Sequence, residues 1–217
     1  MLWSAYSLRN LWARRVTTLL TLLGLGLVVF VFVAILMLAH GLERTMGRTG
    51  DSANAIVMSK GALSEIESSL SRDQTGVLAA QPEIVTLANH QAAAVREIAL
   101  QLTLRKQEGG SLASLSLRGS SPDAVAVRPL VHIVQGRLWQ PGTTEVIVGT
   151  QVAKQFPEAR LSKTLRFGRR EWTVVGIFES EGSGFDSEVW GDAEQMMATF
   201  HRTVFSSMTV RLADPTV

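Results

Sequence analysis

Val16 to Ala39 reads VTTLLTLLGLGLVVFVFVAILMLA, 24 residues without one charge, held between Arg15 and His40. A helix rises about 1.5 Å per residue, so a run of this length spans the roughly 30 Å hydrocarbon core of a bilayer. Leu, Val, Phe and Ile fall on every side of that helix, which leaves no polar stripe for water. Thr17, Thr18 and Thr21 stand near its start, where each hydroxyl can bond back to the preceding turn. The residues that follow are polar-patterned and too few to wrap such a helix inside a soluble core. A cleaved signal peptide has a shorter apolar region, and a cut after Ala39 would put Met37 where a small residue is needed. The run is therefore read as a transmembrane helix with ends at Val16 and Ala39.

Charge supports that reading and sets an orientation. Residues 1–15 carry Arg9, Arg14 and Arg15 and no acid, which leaves 18 basic and 19 acidic residues elsewhere, a net of −1. A balanced exterior argues against nucleic acid as a partner, because that needs a concentrated basic face. Three arginines at one mouth of the span set the topology, with the N-terminus cytoplasmic and everything after His40 outside. Leu2, Trp3, Tyr6, Leu11 and Trp12 mix large rings with those arginines, the composition of a segment lying against membrane lipid. There is no cysteine, so disulfides and thiolate metal sites are excluded.

Beyond the span the helix is expected to continue for a turn or two until Gly47 and Gly50 loosen it. Ala53–Met58 reads as a short strand. Leu63, Ile66, Glu67 and Leu70 recur at helical spacing with Ser64 as N-cap, and Gly76 separates a further piece, 77–80, closed by Pro82. Ile98, Leu100, Leu102 and Leu104 alternate with polar residues in a strand-like stretch over 84–105, Gly109-Gly110 turns the chain, and Leu112, Leu115 and Leu117 return until residues 118–122 break the strand. Further strands are read at 130–134, 145–148, 165–167, 172–178 and 207–212. The two at 165–167 and 172–178 form a hairpin, a helix follows Gly149, and Asp192 caps a helix over 193–202. The fold class is α+β, with one N-terminal transmembrane helix and an extracytoplasmic domain of short helices and mostly antiparallel strands.

Chemistry-bearing patterns are sparse. His40, His90, His132 and His201 are not paired at metal-ligand spacing, and no nucleophile motif is present. Gly24-Leu25-Gly26 lies inside the apolar run, where small residues let another helix approach. Residues 179–188, ESEGSGFDSE, read as an acidic, solvated loop whose alternative role is a partner or substrate contact through Glu179, Glu181, Phe185, Asp186 and Glu188. No catalytic, cofactor or metal residue is expected, and any ATP that powers the function binds to another chain.

Several pieces in order carry a resemblance. Residues 10–15, NLWARR, followed by TTLLTLLGL from Thr17 resemble the opening of MacB/FtsX-type ABC transporter permeases. Leu117-Arg118-Gly119, Gly136-Arg137, Glu145–Gly149 (EVIVG), Trp172–Phe178 (WTVVGIF) and Trp190-Gly191-Asp192 resemble the succession in that family's extracytoplasmic domain. The resemblance implies two lobes, porter-like and sabre-like, here assigned to residues 53–118 with 185–217 and to 119–184, within an extracytoplasmic domain spanning 40–217. It implies a non-enzymatic permease in the bacterial inner (plasma) membrane, a homodimer or paired permease, a cytoplasmic ABC ATPase partner and a periplasmic adaptor. The output it implies is export, lipoprotein extraction or control of a cell-wall hydrolase. Family members have three further spans after this domain, so the chain is expected to be an N-terminal piece of a longer permease or a short relative. The rival readings are a single-span anchored interaction module, such as a regulator of cell-wall hydrolases, and an anchored hydrolase.

Overall fold

The computed structural model describes residues 15–47, 53–87, 91–105 and 112–214. Two units emerge, one ending at Gly47 and one beginning at Arg48. Among its described residues the first holds one helix, α1, Arg15–Gly47. Its apolar part, Arg15–Gly41, is long and apolar enough to cross a membrane. The Thr21 hydroxyl donates to the Thr17 carbonyl one turn back, as expected of threonine in an apolar helix.

The second unit is built on one sheet. Its strands are β1 (Asn54–Val57), β2 (Ala94–Arg105), β3 (Leu112–Ser120), β4 (His132–Gly136), β5 (Glu145–Gly149), β6 (Thr164–Phe167), β7 (Arg170–Glu179), β8 (Glu188–Asp192) and β9 (Ser207–Arg211). The order is β1-β9-β2-β3-β8-β5-β7-β4, with β6 on the free half of β7. All pairings are antiparallel except β3 with β8 and β5 with β7. Four short helices complete the unit: α2 (Arg72–Ala79), α3 (Ala124–Val127), α4 (Thr150–Gln155) and α5 (Ala193–Thr199). The boundary between the two expected lobes runs between β8 and β5, which pair directly, so the sheet continues across it.

Alternation along the strands sends side chains to two cores. Val146, Val148 and Val189 join Trp172, Leu165 and Met196 in one cluster. Their neighbours Ile147 and Trp190 face the other way, with Phe178, Trp139 and Val127. The β6–β7 hairpin turns on Gly168 and Arg169, whose φ values of 59° and 61° suit a two-residue turn with both central residues left-handed. Asp192 caps α5 by accepting from the Gln195 N–H at 2.9 Å.

Three expectations are corrected. The segment over 63–70 is not helical; the helix starts about two turns later, at Arg72, with Ser71 as its cap, and Gly76 lies inside it. Leu63 is 93% exposed, so its helical spacing with Ile66 marks no buried face. Serines explain the outcome. The Ser59 N–H donates to Ser68 Oγ at 2.8 Å and the Ser69 N–H to Ser59 Oγ at 3.2 Å, local bonds that compete with a helical ladder. Next, Arg118-Gly119-Ser120 do not break β3 but continue it. Last, α5 stops at Thr199, short of residue 202. The 109–110 turn, His90, Gly50 and the segment before Arg15, with Arg9 and Arg14, lie outside the described residues.

Candidate functional site

The acidic stretch 179–188 is a folded corner rather than a solvated loop. Asp186 is buried, and its Oδ1 accepts from the Ser180 N–H and hydroxyl at 2.7 and 2.8 Å while Oδ2 accepts from the Gly182 N–H at 2.9 Å. The Ser183 hydroxyl donates to Ser180 Oγ at 2.7 Å. The corner packs on Gly149 so closely that a Cβ there would stand 2.2 Å from the Asp186 carbonyl oxygen. This contact explains the glycine that ends EVIVG. Of the five contact candidates, Glu179 and Glu181 point to solvent, Phe185 and Glu188 are half-buried and Asp186 is internal.

Glu188 and Phe185 turn inward because they meet buried arginines. Arg118, on β3, reaches Glu188 through Nε at 2.8 Å and Nη2 at 3.0 Å, Glu65 at 2.9 and 3.2 Å, and Glu97 at 3.2 Å. Arg128, just after α3, donates Nη2 to Glu97 at 2.6 Å and to the Thr209 hydroxyl at 2.9 Å. Glu97 also accepts from the Ser120 and Thr209 hydroxyls, and Glu65 from Ser207. The Phe185 ring lies under both guanidiniums, 5.4 and 5.1 Å from their carbons, and meets Trp190 edge-on. The Trp190 indole N–H donates to Glu188 at 2.7 Å.

Burial pushes the Glu97 carboxyl up, but the charges of Arg128 and Arg118 and the bonds from Arg128 and Thr209 outweigh it and hold it down to about 2. Burial likewise pulls Arg118 down, and Glu188, Glu97 and Glu65 together raise it well above its ordinary value. Three carboxylates and two guanidiniums thus pair with one another, while the buried Arg128 Nη1 has no hydrogen-bond partner among the described residues. Such an arrangement holds chain segments together. Its members come from the irregular stretch after β1 (Glu65), from β2, β3 and β9, and from the 179–188 corner.

The other motif residues also have structural duties. Arg137 and Glu145 form a two-pronged ion pair at the outer ends of β4 and β5, and that bond holds the Glu145 carboxyl below its ordinary value. Gly136 has φ 74°, and a Cβ would stand 2.2 Å from the Val175 oxygen. Arg15, the one topology-setting arginine within the described residues, is exposed at the start of α1. His40 lies on α1, and His132 and His201 are exposed on separate elements. Among the described residues no three His, Asp or Glu side chains stand together as a metal site would require. The Glu97–Arg118–Arg128 centre was missed from sequence, because charged residues between apolar ones read as the solvated face of a strand.

The strands that carry LRG, GR, EVIVG, WTVVGIF and WGD are β3, β4, β5, β7 and β8, and they are contiguous in the sheet. A family model described as the MacB-like periplasmic core domain matches residues 18–217. Among solved structures, the extracellular domain of the noncanonic ABC-type transporter YknZ from Gram-positive bacteria is similar with a TM-score of 0.54 and 16% identity, over 74% of this chain and 82% of that one. The periplasmic region of MacB from Actinobacillus actinomycetemcomitans is similar with a TM-score of 0.55 and 16% identity, over 78% of each chain. Among curated proteins nothing matches. At such identities the structural likeness shows the fold, and the family model, covering nearly the whole chain, carries the assignment. The chain belongs to the MacB-like periplasmic core domain family, and with it to the MacB/FtsX-type ABC transporter permeases.

Proposed function

We propose that this chain is the transmembrane permease subunit, or its N-terminal half, of an ABC-type exporter or mechanotransmission complex. It relays ATP-driven motion of a cytoplasmic ABC ATPase to its extracytoplasmic domain and binds no ATP itself. In this reading it acts in the bacterial inner membrane, with Arg9, Arg14 and Arg15 on the cytoplasmic side, as a homodimer or beside a paired permease. A periplasmic adaptor receives the motion.

The observation that carries the reading is the length of α1. The helix does not stop where its apolar part ends at Gly41 but runs on to Gly47, and only residues 48–53 separate it from β1. A continuous helix keeps every backbone bond and is stiff, whereas a long linker would dissipate displacement. Inserting about ten Gly/Ser residues, a flexible coil, between Gly47 and Asn54 in the assembled complex is expected to abolish transport while ATP hydrolysis persists. Transport at the unaltered rate would refute the relay.

A further inference from the structure

β2 divides along its length. From Ile98 onward it pairs with β3, but Ala94–Glu97 pair with β9 alone. At the same level Ser120 of β3 is paired only on the opposite edge, with Asp192 of β8. The sheet therefore opens between β2 and β3, and a cleft of about 460 Å³ occupies the opening. Its apolar lining comes from Ala79 at the end of α2, Ala94, Ala193 and Phe205.

Two charged side chains in this cleft keep hydrogen-bonding capacity to spare among the described residues, although Arg72, and with it Arg96, holds the Glu194 carboxyl below its ordinary value. Arg96 donates Nε to the Thr75 hydroxyl at 3.0 Å, and among the described residues its two Nη groups have no hydrogen-bond partner. Asp123 accepts only a long contact from the Ser121 hydroxyl at 3.4 Å. The neighbouring acids are committed: Glu194 holds Arg72 at 2.6 and 2.8 Å, and Asp192 takes the N–H groups of Gly142 and Gln195, both at 2.9 Å. The side of Ala94–Glu97 turned away from β9 has no strand partner among the described residues, a row with which an extended main chain can pair.

We propose that this cleft binds a short free oligopeptide of about three residues, a size set by pockets of this volume, with its terminal carboxylate on Arg96 and its terminal ammonium on Asp123. Guanidinium offers carboxylate a two-pronged, charge-assisted bond. Asp123 supplies the opposite charge. Such binding needs neither transport nor an ATPase.

The test uses the full chain in lipid nanodiscs, with trialanine as probe and titration calorimetry as readout. Trialanine is expected to bind, and N-acetyl-trialanine amide, which lacks both charged contacts, to bind at least about tenfold more weakly. Arg96→Gln is expected to weaken trialanine by a similar factor and to erase the effect of amidating its C-terminus. Asp123→Asn should erase the effect of acetylating its N-terminus. No heat with trialanine at several millimolar, about the weakest range worth calling binding, would overturn the proposal. So would equal affinity for free and capped peptide. That comparison is made on the unaltered protein, so it stands whether or not either variant folds.

Discussion

At the scale of single residues, Glu97 is the side chain on which most depends. It is fully buried, and its folded-state pKa of about 2 lies below the ordinary 4.5. A depressed carboxylate stabilises the fold fully above the ordinary value and ceases to as pH falls toward the folded one, so this contribution, about 3 kcal/mol, disappears between about pH 4.5 and pH 2. Glu97→Gln removes the charge and leaves Arg128 facing a neutral group inside the protein, at an expected cost of about 3–5 kcal/mol at pH 7. Urea unfolding of the exported domain, followed by tryptophan fluorescence from pH 7 to pH 2.5, should show a steep acid branch in the unaltered chain and a flatter one in the variant. Parallel curves would remove Glu97 from this role. The Glu97 position was illegible in the sequence for a physical reason. Alternation identified the Ile98–Leu104 face as apolar, yet the opposite face at Val95, Glu97 and Ala99 is buried as well, and a buried carboxylate is only tolerable once Arg118 and Arg128 arrive from positions 21 and 31 residues away.

At the scale of elements, helix α2 shows how local chemistry decides a boundary. The Ser71 hydroxyl accepts from the Gln74 N–H at 3.2 Å, and the Gln74 side chain accepts from the Ser71 N–H at 2.8 Å, a reciprocal capping box. Ser71→Ala should cost about 1 kcal/mol and lower the melting temperature of the domain by about 2–4 °C, whereas Ser64→Ala should leave it unchanged. Calorimetry on both variants checks the assignment, and equal shifts would contradict it. The S-x-x-Q signal at 71–74 was present in the sequence, but the spacing of Leu63, Ile66 and Leu70 drew the helix about two turns too early. Strands were more legible than helices here. EVIVG, the WTVVGIF hairpin and the apolar span announce themselves through uninterrupted β-branched or apolar runs, while the pairing of β3 with β8, 70 or so residues apart in the chain, has no local signature.

At the scale of the whole molecule, α1 and its flanking charge support the proposed orientation, with the N-terminus cytoplasmic. Because the chain has no cysteine, single ones can be introduced as reporters. Glu179 is exposed at the end of β7, so Glu179→Cys should react with a membrane-impermeant maleimide applied to spheroplasts, while Ser7→Cys should react only after the membrane is opened. The reverse pattern would invert the topology. The order of the strands carries one more consequence. The chain enters the domain through β1, an outer strand held by four residue pairs to β9 and by one side-chain bond from Asn54 to the Val127 carbonyl, whereas β2 and β3 share eight pairs. Under the proposed relay, tension along the chain would reach the bond from the Leu212 N–H to the Ala53 carbonyl and then that short ladder first. The domain would then have a mechanical fuse at its door, yielding at a load set by a few rungs of a ladder rather than by the tryptophan-filled core behind them.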